Sequence, residues 1–311
     1  MNNNPAISIV SPVFNEEAGI EAFYRELKRV CLMANMDHEI VFVDDGSRDH
    51  SFLALSRIRQ ADPQCVRVIR LARNFGHQLA ITAGIRAARG RAVVVMDSDL
   101  QDPPLVILDF IRRWRDGNEV VYGRRTQRKG ESWFKQWTAH VFYRMIRAAA
   151  KVDIAVDSGD FYLLDRKVVD IINAMEERHR FLRGLIAWTG FRRYPVEYVR
   201  EARLTGKTKF GLWKMGNFAL DAVISFSFAP LRVASIAGAV ISFIAFLGIL
   251  ATIYMKLFTH YTVQGWASLM IAILFIGGIQ LLAIGLIGEY VARIGDDVKR
   301  RPLYTVLEVL E

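Results

Sequence analysis

Cysteine is nearly absent: the 311-residue chain has two, Cys31 and Cys65. Neither a disulfide framework nor a zinc site can be built from such a pair, which points to a reducing compartment for this part of the chain. The first strand is not followed by G-x-G-x-x-G, and no Walker sequence occurs anywhere, so dinucleotide and P-loop NTPase readings are poor. The N-terminus, MNNNPAISIV, lacks a basic segment followed by an apolar one, and no signal peptide is expected. Acidic residues are the minority, 32 against 41 Lys and Arg, for a formal charge of +9. That excess suggests an anionic partner or a membrane protein with positive cytoplasmic flanks. Nothing resembles a nucleic-acid-binding module, and no nucleic-acid partner is expected.

The first 125 residues alternate between two patterns. Apolar, β-branched runs at 7–14, 38–45, 66–71, 92–97 and 119–123 read as strands, and stretches at 17–34, 49–60, 77–88 and 104–116 read as helices. Such alternation implies βαβ units and a mostly parallel sheet covered on both faces. Ligands of open α/β sheets bind beyond the carboxyl ends of the strands. Those ends here carry SPVFNEE, DDGS, ARNFG, DSDLQD and GRR.

Farther on the pattern changes. Val233–Met255 and Trp266–Gly288 are each 23 residues without a charge, long enough to cross a hydrocarbon core of roughly 30 Å. Lys207, Lys209, Lys214 and Arg232 flank the pair on one side, and Arg293, Lys299, Arg300 and Arg301 on the other. The positive-inside rule then predicts two membrane spans with both termini and the α/β domain in the cytoplasm. Residues 132–150 and 211–229 are amphipathic and rich in Trp and Phe with interspersed basic residues; each either lies in the membrane interface or packs on the sheet. The expected organisation is a 1–210 α/β domain, a 211–229 juxtamembrane helix, a 230–292 helix pair and a 293–311 cytoplasmic tail. The tail, PLYTVLEVLE, alternates as a strand does and could pair with another subunit. Small residues in the apolar segments, such as Gly238, Ala239, Gly277 and Gly278, would permit close helix packing in a homo-oligomer.

Two acidic strand ends stand out: Asp44–Asp45, and Asp97–Ser98–Asp99 followed by Gln101 and Asp102. A D-x-D pair suits Mg²⁺ or Mn²⁺, which take carboxylate oxygens together with phosphate oxygens of a bound nucleotide. The alternative is a solvated turn, since Asp favours turns and helix caps for local reasons. In either case Asp102 is expected to cap the helix that begins at Pro103–Pro104.

These segments also carry a resemblance. S-P-V-F-N-E-E, V-D-D-G-S-x-D, A-R-N-F-G-H, M-D-S-D-L-Q-D-P-P and Y-G-R-R resemble family 2 inverting glycosyltransferases of GT-A fold. More narrowly, the chain is similar to polyprenyl-phosphate glycosyltransferases, the group of dolichyl-phosphate mannose synthase and bactoprenol glucosyltransferase. The resemblance implies that Pro12, Asn15 and Glu16 line the nucleotide pocket and that Asp45 takes the uracil edge. Asp97 and Asp99 would hold the metal, with Gln101 beside them, and Arg124 would bind phosphate. Arg200, Arg203 and Lys209 would grip acceptor and donor phosphates, or else contact lipid head groups. Asp157 matches the family's proposed base. A phosphate monoester with its second pKa near 6 already is a nucleophile at neutral pH, so Asp157, or Asp160, could orient substrate instead.

The expected reaction is transfer of one glucose from UDP-glucose to undecaprenyl phosphate at the inner-membrane cytoplasmic face, serving O-antigen or cell-envelope modification. Mannose, galactose and aminoarabinose donors are alternatives, and a flippase and a downstream transferase are possible partners. A processive polysaccharide synthase fits less well, because FIRRW at 110–114 lacks the leading Gln or Arg of [QR]-x-x-R-W. A non-catalytic scaffold would have no need of the D-S-D.

Overall fold

The computed structural model describes residues 5–126, 158–178, 180–199 and 265–311, with scattered positions between 236 and 258. Strands β1 (Ile7–Val13), β2 (His38–Asp44), β3 (Val66–Leu71), β4 (Ala92–Val95) and β5 (Val120–Arg125) alternate with helices α1 (Ile20–Ala34), α2 (Ser51–Ala61), α3 (His77–Ala87) and α4 (Val106–Arg115). These match the expected segments to within a few residues. Every residue of β1 is buried, as a strand covered on both faces requires. Helix α1 turns Ile20, Phe23, Leu27, Val30 and Cys31 inward at helical spacing and ends at Asn35 in the left-handed region.

Farther along, the described residues add β6 (Ser158–Asp165), α5 (Arg166–Ala174), α6 (Leu182–Trp188), β7 (Arg193–Tyr198), α7 (Trp266–Val298) and β8 (Val306–Leu310). The eight-stranded sheet has the order β7-β5-β6-β4-β1-β2-β3-β8. Pairings β1–β2, β1–β4, β2–β3 and β5–β7 are parallel. Strand β6 runs antiparallel between β4 and β5, and β8 is antiparallel to β3. One apolar layer packs α1, α2 and α4 against the sheet through Phe23, Leu55 and Phe110. The other packs α3, α5 and α6 through Ile81, Val169 and Leu185.

Strand order reverses between β1 and β4, so their carboxyl ends open a crevice. Pro12 sharpens it. Proline offers no N–H to continue the ladder, and its carbonyl instead accepts the Ser98 hydroxyl at 3.0 Å, just past the end of β4.

The tail differs from expectation. Instead of pairing with another subunit, Val306–Leu310 pairs with β3 of its own chain. Arg67 and Arg89 both reach the Glu311 carboxylate, and the Thr305 carbonyl accepts from the Ala72 N–H at 2.9 Å. Those charges and that backbone bond fix the strand locally. Helix α7 also exceeds its expected bounds, continuing past Gly288 through Glu289 and Arg293, which pair at 3.1 Å across one turn.

Among the described residues one helical stretch, Phe275–Val298, is long and apolar enough to cross a membrane. Leu269, Phe275, Leu281 and Ile284 on α7 are exposed apolar side chains. The expected first span, 233–255, falls partly outside the described residues, and its described positions from 236 to 250 are helical. The amphipathic stretches 132–150 and 211–229 lie outside them, as do Asp157, Arg200, Arg203 and Lys209.

Candidate active site

Loops from the ends of β1, β2, β3 and β4 are stitched together by backbone–side-chain hydrogen bonds. Asn15 sits in the left-handed region at φ 56°, a conformation Asn tolerates better than most residues. Its N–H donates to the Ser47 hydroxyl at 3.0 Å, and its side-chain oxygen accepts from the Arg48 N–H at 2.9 Å. The Glu16 N–H donates to the Ser51 hydroxyl at 2.8 Å. Pro12, Asn15 and Glu16 thus sit together at the carboxyl end of β1, tied to the loops after β2 and β4.

Asp45 is buried, and its two oxygens accept from the N–H groups of Phe75, at 2.7 Å, and Gly76, at 3.0 Å. Burial pushes its carboxyl above the usual range, and the two N–H donors pull it partly back. Its direct work in this structure is to hold the 72–76 loop. Gly46 lets that loop approach: at φ +67°, a Cβ there would lie 2.5 Å from the Arg73 carbonyl carbon. Carboxylate oxygens have further lone pairs, so a ligand edge can still be received.

Asp97 and Asp99 follow β4. Burial, with the carboxylates of Asp160, Asp99 and Asp102 close by, pushes the Asp97 carboxyl up to about 6, against the opposing pull of His77. Asp99 Oδ1 accepts the Gln101 N–H at 3.1 Å, while Leu100 between them adopts φ +57°. A turn this tight keeps Asp97, Asp99 and Gln101 on one short segment. Among the described residues no three His, Cys, Asp or Glu side chains form a closed metal cage. Two carboxylates at the mouth of a crevice fit Mg²⁺ or Mn²⁺, which complete their coordination with phosphate oxygens and water. A cation would also offset the burial and the neighbouring carboxylates that raise Asp97.

Asp102 departs from expectation. The N-cap of α4 is Leu105, which makes no side-chain cap bond. The Asp102 carboxylate is buried and accepts the Tyr198 hydroxyl at 2.6 Å, with Arg125 at 3.5 Å from both of its oxygens. Burial favours a partner that can follow the carboxylate out of water, and a phenol and a guanidinium both can.

Arg124, the expected phosphate ligand, is half-exposed and pairs with Glu197 on the neighbouring edge strand. Its neighbour Arg125 is the cation on the acidic side, with its Nε donating to the Tyr198 hydroxyl at 3.2 Å. The β5–β6 register shifts between Tyr122 and Arg124, so simple strand alternation does not say which arginine points where. Gly159 makes room, since a Cβ there would come within 2.5 Å of the Arg125 guanidinium.

A second polar group adjoins Asp97, bringing Asp160, a candidate from the sequence, together with His77, which the sequence does not single out. His77, first residue of α3, has its Nε2 at 3.1 Å from Asp160 Oδ2 and 3.5 Å from Asp97 Oδ1. Burial alone would lower the imidazole, but Asp160 and Asp97 outweigh it and hold it at about 9. Asp160 is buried too, yet Arg183, His77 and Gln78 bring its carboxyl down to about 2. The H in ARNFGH was the one available signal.

A domain model described as glycosyl transferase family 2 matches residues 8–172, and one described as the GtrB C-terminal hairpin matches residues 229–294. The chain is 48% identical over 306 residues to the uncharacterized glycosyltransferase YkcC of Bacillus subtilis, covering 98% of this chain and 94% of that protein. It is 38% identical over 303 residues to a prophage bactoprenol glucosyl transferase homolog of Escherichia coli K12, covering 97% and 99%. With the bactoprenol glucosyl transferase of Shigella phage SfII it shares 39% identity over 300 residues, covering 96% and 97%. With a mostly parallel α/β sheet, an acidic switch-point crevice and relatives matched along nearly its whole length, the chain belongs to glycosyl transferase family 2 and has its GT-A fold.

Proposed function

We propose that this chain transfers a single glucose, with inversion, from UDP-glucose to undecaprenyl phosphate at the cytoplasmic face of the membrane. The observation that carries the reading is the Asp97–Asp99 pair at the mouth of the β1–β4 crevice, in a chain whose C-terminal helix α7 leaves apolar side chains uncovered. A nucleotide diphosphate and a lipid acceptor are the substrates such a chain can bring together. The relatives named as bactoprenol glucosyl transferases support glucose and a polyprenyl acceptor.

Asp97 and Asp99 hold the cation, with Gln101 adjacent; Pro12, Asn15, Glu16 and Asp45 bound the nucleotide. A bound Mg²⁺ or Mn²⁺ supplies Lewis-acid neutralisation of the departing diphosphate. Arg125, held by Asp102 and Tyr198, stands on the acidic side of the crevice as a fixed cation for phosphate, with Arg124 beside it at the end of β5. The acceptor phosphate needs no strong base, because its second pKa is near 6. Asp157 then orients substrate, and Arg200, Arg203 and Lys209 bind phosphates. Two membrane-spanning helices, both termini in the cytoplasm and a homo-oligomeric assembly complete the reading, with a flippase and a downstream transferase using the product.

A donor screen tests it. Purified full-length protein with undecaprenyl phosphate is offered UDP-glucose, UDP-galactose, UDP-aminoarabinose and GDP-mannose in turn, and released nucleotide is measured. UDP-glucose is expected to be consumed fastest; equal or greater turnover of another donor overturns the sugar, and no turnover of any donor overturns the activity.

A further inference from the structure

Asp160 has more partners than a fold staple on β6 requires. Its Oδ2 receives Gln78 Nε2 at 2.9 Å and lies 3.1 Å from His77 Nε2, while its Oδ1 faces Arg183 Nε at 3.1 Å. Gln78 is fixed in turn, because its Oε1 accepts the Leu182 N–H at 3.1 Å. His77 and Gln78 open helix α3, whose N-terminal dipole favours a carboxylate at that end. The loop leading to His77 is held from the other side by Asp45 through Phe75 and Gly76. The imidazole is therefore set from two directions, and what it is set against is Asp97 Oδ1, at 3.5 Å. The His77 side chain is still 45% exposed, so it reaches the crevice rather than filling the core.

We infer that the His77–Asp160 pair positions Asp97: the buried carboxylate holds the imidazole through Nε2, and that same nitrogen, 3.5 Å from Asp97 Oδ1, acts on Asp97 as an ion-pair partner that favours one orientation toward the cation. The inference rests on the proposed function, in which Asp97 and Asp99 carry the cation and the nucleoside diphosphate. Groups that orient metal ligands from behind typically change metal affinity by about 10–100-fold when removed. His77 and Asp160 are positioning residues here. Gln78 and Arg183 keep the Asp160 charge in place.

The test is a Mn²⁺ titration of the full chain in the presence of UDP, followed by electron paramagnetic resonance, with the melting temperature of the metal-free protein as control. His77→Ala is expected to weaken Mn²⁺ by about tenfold or more, with little change in melting temperature. His77→Gln, which keeps an N–H donor near the same point, is expected to recover much of that loss. Asp160→Asn is expected to weaken Mn²⁺ as well, and to add almost nothing in the His77→Ala background, because one acts through the other. Turnover of the His77→Ala protein is expected to recover at saturating Mn²⁺. Additive losses, unchanged Mn²⁺ affinity in His77→Ala, or an imidazole nitrogen coupled directly to Mn²⁺ in the wild type would each overturn the inference. If Asp160→Asn does not fold, the Ala–Gln comparison at His77 decides alone, and equal affinities there reject the pair. Wild-type protein that binds no Mn²⁺ with UDP overturns the metal reading itself, a different failure from wild-type binding that the variants share.

Discussion

The Tyr198 hydroxyl donates to Asp102 at 2.6 Å, tying the edge strand β7 to the loop that carries Asp97 and Asp99. The contact separates acidic residues that lie within six positions of sequence: Asp97 and Asp99 sit just past the end of β4, and Asp102 anchors Tyr198 and Arg125. Tyr198→Phe removes one hydrogen bond to a buried charged group and is expected to cost about 1.5–3 kcal/mol of stability. Denaturant unfolding in detergent checks this. Nucleotide affinity at saturating metal should change little by comparison, and a variant as stable as wild type would show that the contact contributes nothing.

Asp45 makes a second, local prediction. Asp45→Ala leaves the N–H groups of Phe75 and Gly76 without their carboxylate partner. Amide hydrogen exchange at those two residues should accelerate strongly, while the β2 ladder beside them stays protected. UDP should bind more weakly, because the loop forms part of the crevice. Unchanged exchange at Phe75 and Gly76 would remove Asp45 from its anchoring role.

Asp62 supplies a pH dependence. It accepts from Tyr24 at 2.7 Å and Lys28 at 2.6 Å, and these partners hold its carboxyl below the usual range in spite of partial burial. A carboxyl with a lowered folded pKa contributes stability that is present above its unfolded value, about 3.9, and lost as pH falls through the folded value. Wild type should therefore melt above Asp62→Asn at pH 7, and the gap should narrow as the pH falls below about 4. A gap of constant size across that range would contradict the assignment.

Cys31 gives a probe of unfolding. It is buried, and burial pushes its thiol up to about 12. Cys65 is partly exposed. A thiol reagent at pH 8 should label Cys65 first and reach Cys31 only as the domain unfolds, which peptide mass spectrometry can follow. Early labelling of Cys31 would mean that α1 opens locally.

The first five strands and four helices were legible because each rests on local periodicity: AVVVM announces a buried strand without help from distant residues. Strand β6 carries a comparable apolar run, FYLL, but its position between β4 and β5, antiparallel to both, is a non-local fact. The tail's alternation was readable while its partner was not, since pairing with β3 depends on Arg67 and Arg89 meeting Glu311. The same limit governs the site. Asp97 and Asp99 are two positions apart in sequence and could be recognised together. His77 gains its meaning from Asp160, 83 residues away, and Arg125 gains its own from Asp102 and Tyr198. The choice between Arg124 and Arg125 turns on a register irregularity that no one-dimensional pattern records.

If Asp99 carries metal-assisted transfer of one glucose, mass spectrometry of the lipid product will show it. Purified wild type, Asp99→Ala and Asp102→Asn are each given undecaprenyl phosphate, UDP-glucose and Mn²⁺. Wild type is predicted to yield undecaprenyl phosphate bearing a single hexose, Asp102→Asn to yield the same product from a less stable protein, and Asp99→Ala to yield almost none while still folding. A polymeric product, no hexosyl lipid from the wild type, or near wild-type yield from Asp99→Ala would rule out single-glucose transfer through Asp99.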